Sequence, residues 1–179
     1  MFNRIKSWDN RILSKISKKH TPAMNRIMIA ATALGNYGRI WFAFCLPFFF
    51  SKQWRNIGWT LLIALAISWF LSEIAIKHIV GRVRPCHGLD EKEMLRKPQT
   101  MYSFPSGHTA TSFAITAVTS VMCLPLLLPV LIVSCLIAFS RMYLLAHYPT
   151  DVLAGAVLGL ACGFVSIPLV SSVSFFNAA

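Results

Sequence analysis

The stretch SRMYLLAHYPTDVLAGAVLGLACGFVSIPLVSSV, residues 140–173, joins a short polar segment to a long apolar one. The apolar part begins at Asp151 and is long enough to cross a bilayer, whose hydrocarbon core is spanned by about 20 helical residues. Gly155, Gly159 and Gly163 recur in it at every fourth position. Such a row of small residues lets two membrane helices pack closely. The stretch therefore predicts a helical membrane protein with a polar segment at one helix end.

The composition of the whole chain agrees with a membrane protein. Of its 179 residues, 56% are hydrophobic and only 13% are charged, whereas soluble domains carry about 25% charged residues. The formal net charge is +11. Because cations and aromatic residues do not alternate in any segment, this charge favours anionic lipid headgroups over nucleic acid as partners. The five cysteines show no paired spacing and are interpreted as buried hydrophobes rather than disulfides.

Apolar segments predict an all-α integral membrane bundle of about five transmembrane helices within residues 23–179. A short re-entrant or interfacial helix is expected before the first crossing, starting near Met24. The predicted crossings are residues 39–51, 57–77, 106–122, 126–145 and 151–173.

Residues 1–22 form a separate basic segment without the apolar core of a cleaved signal peptide. Their apolar side chains recur at helical spacing between Lys and Arg residues. This pattern favours an amphipathic helix that lies in the membrane interface. A solvated basic tail is the alternative.

Three polar strings lie at the ends of the predicted crossings. They are KHIVGRVRP (Lys77–Pro85), PSGH (Pro105–His108) and SRMYLLAHYPTD (Ser140–Asp151). An even number of crossings separates each string from the next, so all three are expected at one membrane face. Polar groups at such depths are costly unless they are used, and their convergence predicts a single functional site.

The residue types in these strings suit phosphate binding. Lys77, Arg84 and Arg141 can neutralise phosphoryl oxygens, Arg through its planar fork and Lys as a point charge. Ser106 and Gly107 begin a helix, where free backbone N–H groups and the helix dipole favour an anion. Each cation alone would more often be an interfacial anchor. Their joint arrangement is what predicts the phosphate site.

Two histidines and a carboxylate add the chemistry of phosphoryl transfer. His147 and Asp151 are four residues apart and share a face if that stretch is helical. A carboxylate on one imidazole nitrogen fixes the tautomer and leaves the other nitrogen as a nucleophile. His108 would then protonate the leaving oxygen and later deprotonate the attacking water. Glu73 is expected to orient Lys77 through an ion pair on the same helix.

Metal binding is a weaker alternative, confined to the polar connection after the second crossing. Cys86 and His87 could be half of a metal site, but no second pair at ligand spacing follows. The other candidate ligands there are His78, Asp90, Glu91 and Glu93. No metal and no cofactor are therefore predicted.

The pattern K-x6-RP, then PSGH, then SR-x5-H-x3-D resembles the three-part signature of the type 2 phosphatidic acid phosphatase (PAP2) family. All three parts are complete, and the resemblance covers about residues 57–170. LGNYG at 34–38 also resembles a feature of bacterial members. The resemblance implies a metal-independent mechanism in which His147 forms a phosphohistidine, Asp151 supports it, and His108 is the acid and then the base. The implied phosphate ligands are Lys77, Arg84, Ser106, Gly107 and Arg141.

The resemblance also implies a bacterial inner-membrane enzyme that acts on a lipid phosphate or diphosphate. Candidate substrates are undecaprenyl diphosphate, phosphatidylglycerol phosphate, phosphatidic acid and lipid A 1-phosphate, whose phosphates all bind alike. Two alternatives use the same pocket, namely a lipid phosphotransferase and a non-hydrolytic lipid-phosphate binding protein. The intact set of two histidines and a carboxylate argues against the binding protein. No obligate protein partner is indicated.

Two observations disagree on which membrane face carries the site. PAP2 family members mostly place it on the non-cytoplasmic face. In this chain, however, all of the 17 Lys and Arg residues except Lys52 and Arg55 lie on the predicted catalytic side. The positive-inside rule assigns that side to the cytoplasm. Many bacterial members with six crossings also have an extra N-terminal transmembrane helix, which the basic segment replaces here.

Overall fold

The computed structural model describes residues 2–88, 94–95 and 101–172, and within these ranges the chain is helical. The helices are α1 Phe2–Ser17, α2 Pro22–Leu34, α3 Arg39–Cys45, α4 Arg55–Trp69, α5 Lys77–Val80, α6 Gly107–Met122, α7 Leu127–Tyr143 and α8 Pro149–Ser172. The described part of the chain has one isolated antiparallel bridge, between Val83 and Tyr102. The predicted all-α class is confirmed.

Helix α4 continues into α5 through a π-helical stretch, Phe70–Ile76. The three elements form one continuous helix, Arg55–Val80, of 26 residues. It ends at Gly81, whose φ of 59° is the left-handed conformation that favours glycine at a helix C-terminus. The helix expected for the second crossing is therefore present, and its last turn carries Lys77 to the end of the bundle.

In the described part of the chain, three helices are long and apolar enough to cross a membrane, namely Arg55–Val80, Leu124–Tyr143 and Pro149–Ser172. Helix α6 is shorter, with 16 residues. It is the central helix, because it packs against α4, α7 and α8 and buries most of its side chains. Large apolar side chains are exposed on the outer faces of these helices, among them Trp59, Ile132 and Val157, as expected for contact with lipid. The chain is a membrane protein built around α6.

The segment predicted to hold the first crossing is divided into two short helices. Helix α2 ends before a 3₁₀ turn, Asn36–Gly38, in which Tyr37 has φ 54° and Gly38 has φ 67°. Helix α3 has seven residues and leads into a second 3₁₀ turn, Leu46–Phe49. Because neither helix alone has the length of a span, the total number of crossings stays a prediction.

Helices α6 and α8 pack at backbone distance through the glycine row. A Cβ atom at Gly155 would lie 2.6 Å from the Ser106 carbonyl oxygen, and one at Gly163 would lie 2.5 Å from the Ala114 carbonyl oxygen. The same packing joins the two helix N-termini, since the Ser106 N–H donates to the Asp151 carbonyl at 3.0 Å. Two segments of the predicted site are thereby held side by side.

The basic N-terminal segment is helical from Phe2 and contacts α7 and α8. Its Lys and Arg side chains are exposed, whereas Leu13 and Asp9 are buried. The helical conformation agrees with the sequence analysis. The interfacial location of α1 and the domain boundary after residue 22 stay predictions.

We expect Gly159→Ala to destabilise the bundle, because the added methyl group would collide with the backbone of Ala110 on α6. Forcing the two helices apart should lower the free energy of unfolding by about 1–3 kcal/mol. Thermal unfolding in detergent measures this loss. Ala161→Val is the control, because Ala161 is exposed on α8. Equal melting temperatures for Gly159→Ala and wild type would contradict the backbone contact.

Candidate active site

The ends of α4–α5, α6 and α7 meet the 36–38 turn and the loop before α8 around a pocket of about 270 Å³. Six predicted site residues line it, namely Lys77, Arg84, Gly107, His108, Arg141 and His147. Ser106 and Asp151 lie behind this wall and are fully buried. The three polar strings therefore meet at one place in the folded chain.

The pocket is lined by three buried cations. The exposed fraction is 2% for Lys77, 4% for Arg84 and 6% for Arg141. Lys77 forms the predicted ion pair with Glu73, at 2.6 Å between Nζ and Oε2. A buried charge is costly unless it is compensated. One pocket carboxylate against three cations gives the cavity a net positive charge, which suits an anionic ligand.

The loop that carries His147 is folded back onto the end of α7. The Arg141 carbonyl accepts hydrogen bonds from the N–H groups of Ala146 at 3.0 Å and His147 at 3.2 Å. Leu145 takes a left-handed conformation, with φ 53°, at the turn. These bonds satisfy one carbonyl that the helix end leaves open and fold the loop so that His147 lines the pocket.

The tautomer of His147 follows from its two ring partners. Its Nδ1 lies 2.6 Å from the Ser103 carbonyl oxygen, which can only accept a hydrogen bond. Its Nε2 lies 2.9 Å from an Arg84 guanidinium nitrogen, which can only donate one. The proton is therefore on Nδ1, and the lone pair is on Nε2 at the pocket wall.

The charge state of His147 follows from its surroundings. Burial lowers the pKa of His147 well below the ordinary value, and the positive charges of Arg84, Arg141 and Lys77 lower it further. The His147 imidazole is thus neutral at neutral pH. A neutral imidazole is the form that can act as a nucleophile.

The predicted hydrogen bond between Asp151 and His147 is not formed. The His147 Nδ1 and Asp151 Oδ2 atoms are 3.9 Å apart. His147 precedes α8 rather than lying on it, and Asp151 is the third residue of that helix. Its Oδ2 accepts the Tyr148 N–H at 2.9 Å, as an acidic residue does in a capping box. The Ser103 carbonyl takes the place expected for the carboxylate.

No role was predicted from the sequence for Ser103 or Arg82, which position the loop that carries His147. The Ser103 N–H donates to the Arg82 carbonyl at 2.7 Å, next to the Val83–Tyr102 bridge. This pairing places the Ser103 carbonyl against His147. Arg82 also donates to Asp151 Oδ1 at 2.7 Å. The spacing of the KHIVGRVRP string gave no signal that separated Arg82 from Arg84.

His108, in the first turn of α6, faces the pocket beside the 36–38 turn. Its Nε2 is 3.1 Å from the Oδ1 of Asn36. A Cβ atom at Gly35 would lie only 2.9 Å from the His108 ring, so glycine is needed for this approach. The interruption of an apolar segment by GNYG was the sequence signal for this contact.

The remaining predicted phosphate ligands differ in position. Gly107 lines the pocket, where a Cβ atom would collide with the Glu73 carboxylate. The Ser106 side chain does not reach the pocket, because its hydroxyl pairs with that of Thr109 at 2.9 Å. Arg141 donates to the buried hydroxyl of Thr32 on α2, a contact that sequence analysis did not predict.

The described ranges contain no cluster of side chains for the weaker alternative, a metal site. Across residues 2–88, 94–95 and 101–172, no three His, Cys, Asp or Glu side chains are grouped to hold an ion. Asp90, Glu91 and Glu93 lie outside the described residues.

Residues 57–174 match the sequence profile of the PAP2 superfamily. An undecaprenyl-diphosphatase of Sulfolobus acidocaldarius is 32% identical over 88% of this chain and 76% of its own length. The phosphatidylglycerophosphatase B of Bacillus subtilis is 29% identical over 91% of this chain and 83% of its own length.

Solved structures show the same architecture. The crystal structure of Aquifex aeolicus LpxE superimposes with a TM-score of 0.76 and 26% identity, over 88% of this chain and 93% of that one. A transmembrane PAP2-type phosphatidylglycerolphosphate phosphatase from Bacillus subtilis has a TM-score of 0.74 and 24% identity, over 96% of this chain and 88% of that one. With two thirds of its length matched by the family profile and this fold, the chain belongs to the PAP2 superfamily.

Proposed function

We propose that the chain is an integral membrane phosphatase that removes the terminal phosphate of a lipid phosphate or diphosphate through a phosphohistidine at His147. The geometry of His147 carries this proposal. Its Nδ1 proton is held by the Ser103 carbonyl, and its Nε2 lone pair meets a cavity lined by cations. Membership in a superfamily whose named relatives include lipid phosphatases supports the same activity.

In the first step, the phosphoryl group of the lipid enters the pocket and its oxygens meet Lys77, Arg84 and Arg141. Arg84 can then donate to the phosphate instead of to Nε2, which frees the lone pair of His147. Nε2 forms a bond to phosphorus while the bond from phosphorus to the lipid oxygen breaks. A protonated His108 transfers its proton to that leaving oxygen.

Positive charge develops on the imidazole of His147 during this step. The Ser103 carbonyl already accepts the Nδ1 proton at 2.6 Å, and the Asp151 carboxylate lies 3.9 Å from the same nitrogen. Both groups are in place before the charge forms, and such preorganised partners stabilise a transition state most efficiently. Asp151 thus supports the nucleophile electrostatically across a longer distance than a hydrogen bond.

In the second step, water hydrolyses the phosphohistidine. His108, now neutral, takes a proton from the water as its oxygen attacks phosphorus. The bond between phosphorus and Nε2 breaks, inorganic phosphate leaves, and the lone pair returns to His147. The backbone N–H of Gly107 at the start of α6 is proposed to hold a phosphate oxygen in both steps. The Ser106 N–H is not proposed for this role, because it donates to the Asp151 carbonyl.

The proposed substrate class is a lipid whose chain reaches the pocket from the side. Tyr37 and Trp69 line the pocket and are 72% and 50% exposed. They provide an apolar rim between the 36–38 turn and α4, on which a chain can lie while the phosphate enters. Relatives named undecaprenyl-diphosphatase, phosphatidylglycerophosphatase B and lipid A 1-phosphatase share a lipid-linked phosphate. The proposal therefore covers that shared class.

For the membrane orientation, we propose that the pocket opens on the non-cytoplasmic face, in agreement with the PAP2 precedent. The distribution of Lys and Arg residues predicts the opposite face. Lys77, Arg84 and Arg141 line the pocket, however, and these three cations are needed for phosphate binding whichever face they occupy. These three cations carry no information on orientation. The other Lys and Arg residues still favour the cytoplasmic face by 12 to two, so the proposed orientation rests on the PAP2 precedent.

We expect His147→Ala to abolish phosphate release, because the nucleophile is lost. The measurement is inorganic phosphate released from a panel of lipid phosphates by detergent-purified protein in the presence of EDTA. His78→Ala is the control, because His78 is exposed and lies outside the pocket. Full activity of His147→Ala would contradict the nucleophile assignment.

Loss of wild-type activity in EDTA with recovery on adding metal would contradict the metal-independent mechanism. Binding of lipid phosphate without release would favour the binding protein.

We expect His108→Asn to accumulate phosphohistidine when the substrate has a good leaving group. Such a substrate needs no acid in the first step, whereas hydrolysis of the intermediate still needs a base. Rapid quenching with radioactive substrate measures the label retained on the protein, and His147→Ala is the unlabelled control. An equal, transient label in wild type and His108→Asn would show that another group is the base.

We expect a cysteine at position 87 to react with a membrane-impermeant maleimide in intact cells, and a cysteine at position 52 to react only after permeabilisation. His87 and Lys52 are exposed near opposite ends of the Arg55–Val80 helix. His87→Cys and Lys52→Cys are made in a variant whose five native cysteines are replaced by alanine. The reverse labelling pattern would place the pocket at the cytoplasmic face.

A further inference from the structure

Asp9 is a fully buried carboxylate on a helix whose Lys and Arg side chains are exposed. Its Oδ1 accepts the Thr150 N–H at 3.0 Å. Its Oδ2 accepts the Thr150 hydroxyl at 2.7 Å and an Arg82 guanidinium nitrogen at 2.7 Å. A buried carboxylate is tolerated only with such complete hydrogen bonding. Asp9 therefore forms a buried, fully hydrogen-bonded contact between α1 and the start of α8.

The contact supplies a helix cap from another part of the chain. The first N–H groups of a helix have no partner within it and usually bond to a side-chain oxygen just before the helix. Helix α8 is preceded by Tyr148, and its first residue is Pro149, which has no N–H. Asp9 provides the missing oxygen for Thr150, so the first turn of α8 depends on α1.

Arg82 connects this cap to the proposed catalytic carboxylate. One guanidinium nitrogen donates to Asp9, and the other donates to Asp151 Oδ1 at 2.7 Å and to the Thr150 hydroxyl at 2.7 Å. The guanidinium also stacks on the Tyr148 ring, with 3.9 Å between its carbon and the ring centroid. Without Arg82, two buried carboxylates would face each other with no charge between them.

Two restraints on His147 pass through this one arginine. The Arg82 side chain holds Asp151, whose other oxygen accepts the N–H of Tyr148, the residue after His147. The Arg82 backbone carbonyl accepts the Ser103 N–H at 2.7 Å, and the Ser103 carbonyl accepts the Nδ1 proton of His147. A shift of Arg82 would therefore move both groups that surround Nδ1.

We propose that Asp9 and Arg82 are positioning residues for phosphoryl transfer, so that α1 is part of the catalytic unit. This inference rests on the proposed function. Asp9 fixes the Arg82 fork, and the fork fixes Asp151 and the loop of His147. Neither residue touches the pocket, so both should act on the rate of the chemical step rather than on substrate binding. A lysine at position 82 lacks the planar fork that serves two carboxylates at once.

The test uses the full chain in detergent with a lipid phosphate that the wild type hydrolyses, and compares Asp9→Asn, Arg82→Lys, Arg82→Gln and the double variant Asp9→Asn/Arg82→Gln. Arg11→Gln is the control, because it removes an exposed charge from α1. We expect Asp9→Asn and Arg82→Gln to lower kcat about 10-fold or more, as a misplacement of about 1 Å can. KM should change little, and Arg82→Lys should not restore kcat.

The double variant tests whether the two residues act through one connection. Residues in one network are not additive, so the double variant should lose no more than Arg82→Gln alone. Unchanged kcat in Asp9→Asn and Arg82→Gln, or a loss confined to KM, would overturn the proposal. A drop in melting temperature with full kcat per folded molecule would also overturn it, since the role would then be structural. Should Arg82→Gln fail to fold, Asp9→Asn decides alone, because it keeps the shape of the side chain. An inactive wild type would instead refute the proposed function.

Discussion

Three cations buried together at one end of an apolar bundle are the constraint to which the rest of the site conforms. Lys77 and Arg84 come from one string and Arg141 from another more than 50 residues away, and each is less than a tenth exposed. Burying like charges side by side is unfavourable unless an anion is bound or carboxylates lie close. Glu73 meets part of this demand, and the phosphate of the proposed substrate would meet the remainder. The net positive charge of the pocket is thus the one expected for a site that binds an anion.

The same cations determine the protonation state of His147, the proposed nucleophile. A histidine among positive charges and away from water stays neutral, because protonation would add another buried cation. The Ser103 carbonyl then selects the tautomer by accepting only from Nδ1. The positive charges of the pocket therefore keep His147 unprotonated at Nε2. The same charges attract an anionic phosphate. Close packing of α6 on α8 through Gly155 and Gly159 gives this arrangement a rigid frame.

Features that depend on residues close together in the sequence could be predicted, whereas contacts between residues far apart in the sequence could not. The long helices and the meeting of Lys77, Arg84 and His147 in one pocket could be predicted, because hydrophobic length and helix ends are local properties. The prediction of a hydrogen bond between His147 and Asp151 was wrong, because the four-residue spacing supports a contact only if both residues are helical. The chain leaves the loop and enters α8 at Pro149, between the two residues. Asp151 is then engaged by the helix start.

Ser103 and Asp9 could not be assigned from the sequence, because each acts through a partner more than 40 residues away along the chain. For Ser103 the acting group is a backbone carbonyl, which every residue has. No role for Asp9 is indicated by the sequence, because the many Lys and Arg residues around it predict a helix at a membrane surface. The buried carboxylate and the exposed cations lie on different faces of α1. Helix α1 therefore holds the start of α8 with one face, and the amphipathic pattern that predicts contact with lipid headgroups describes only its other, exposed face.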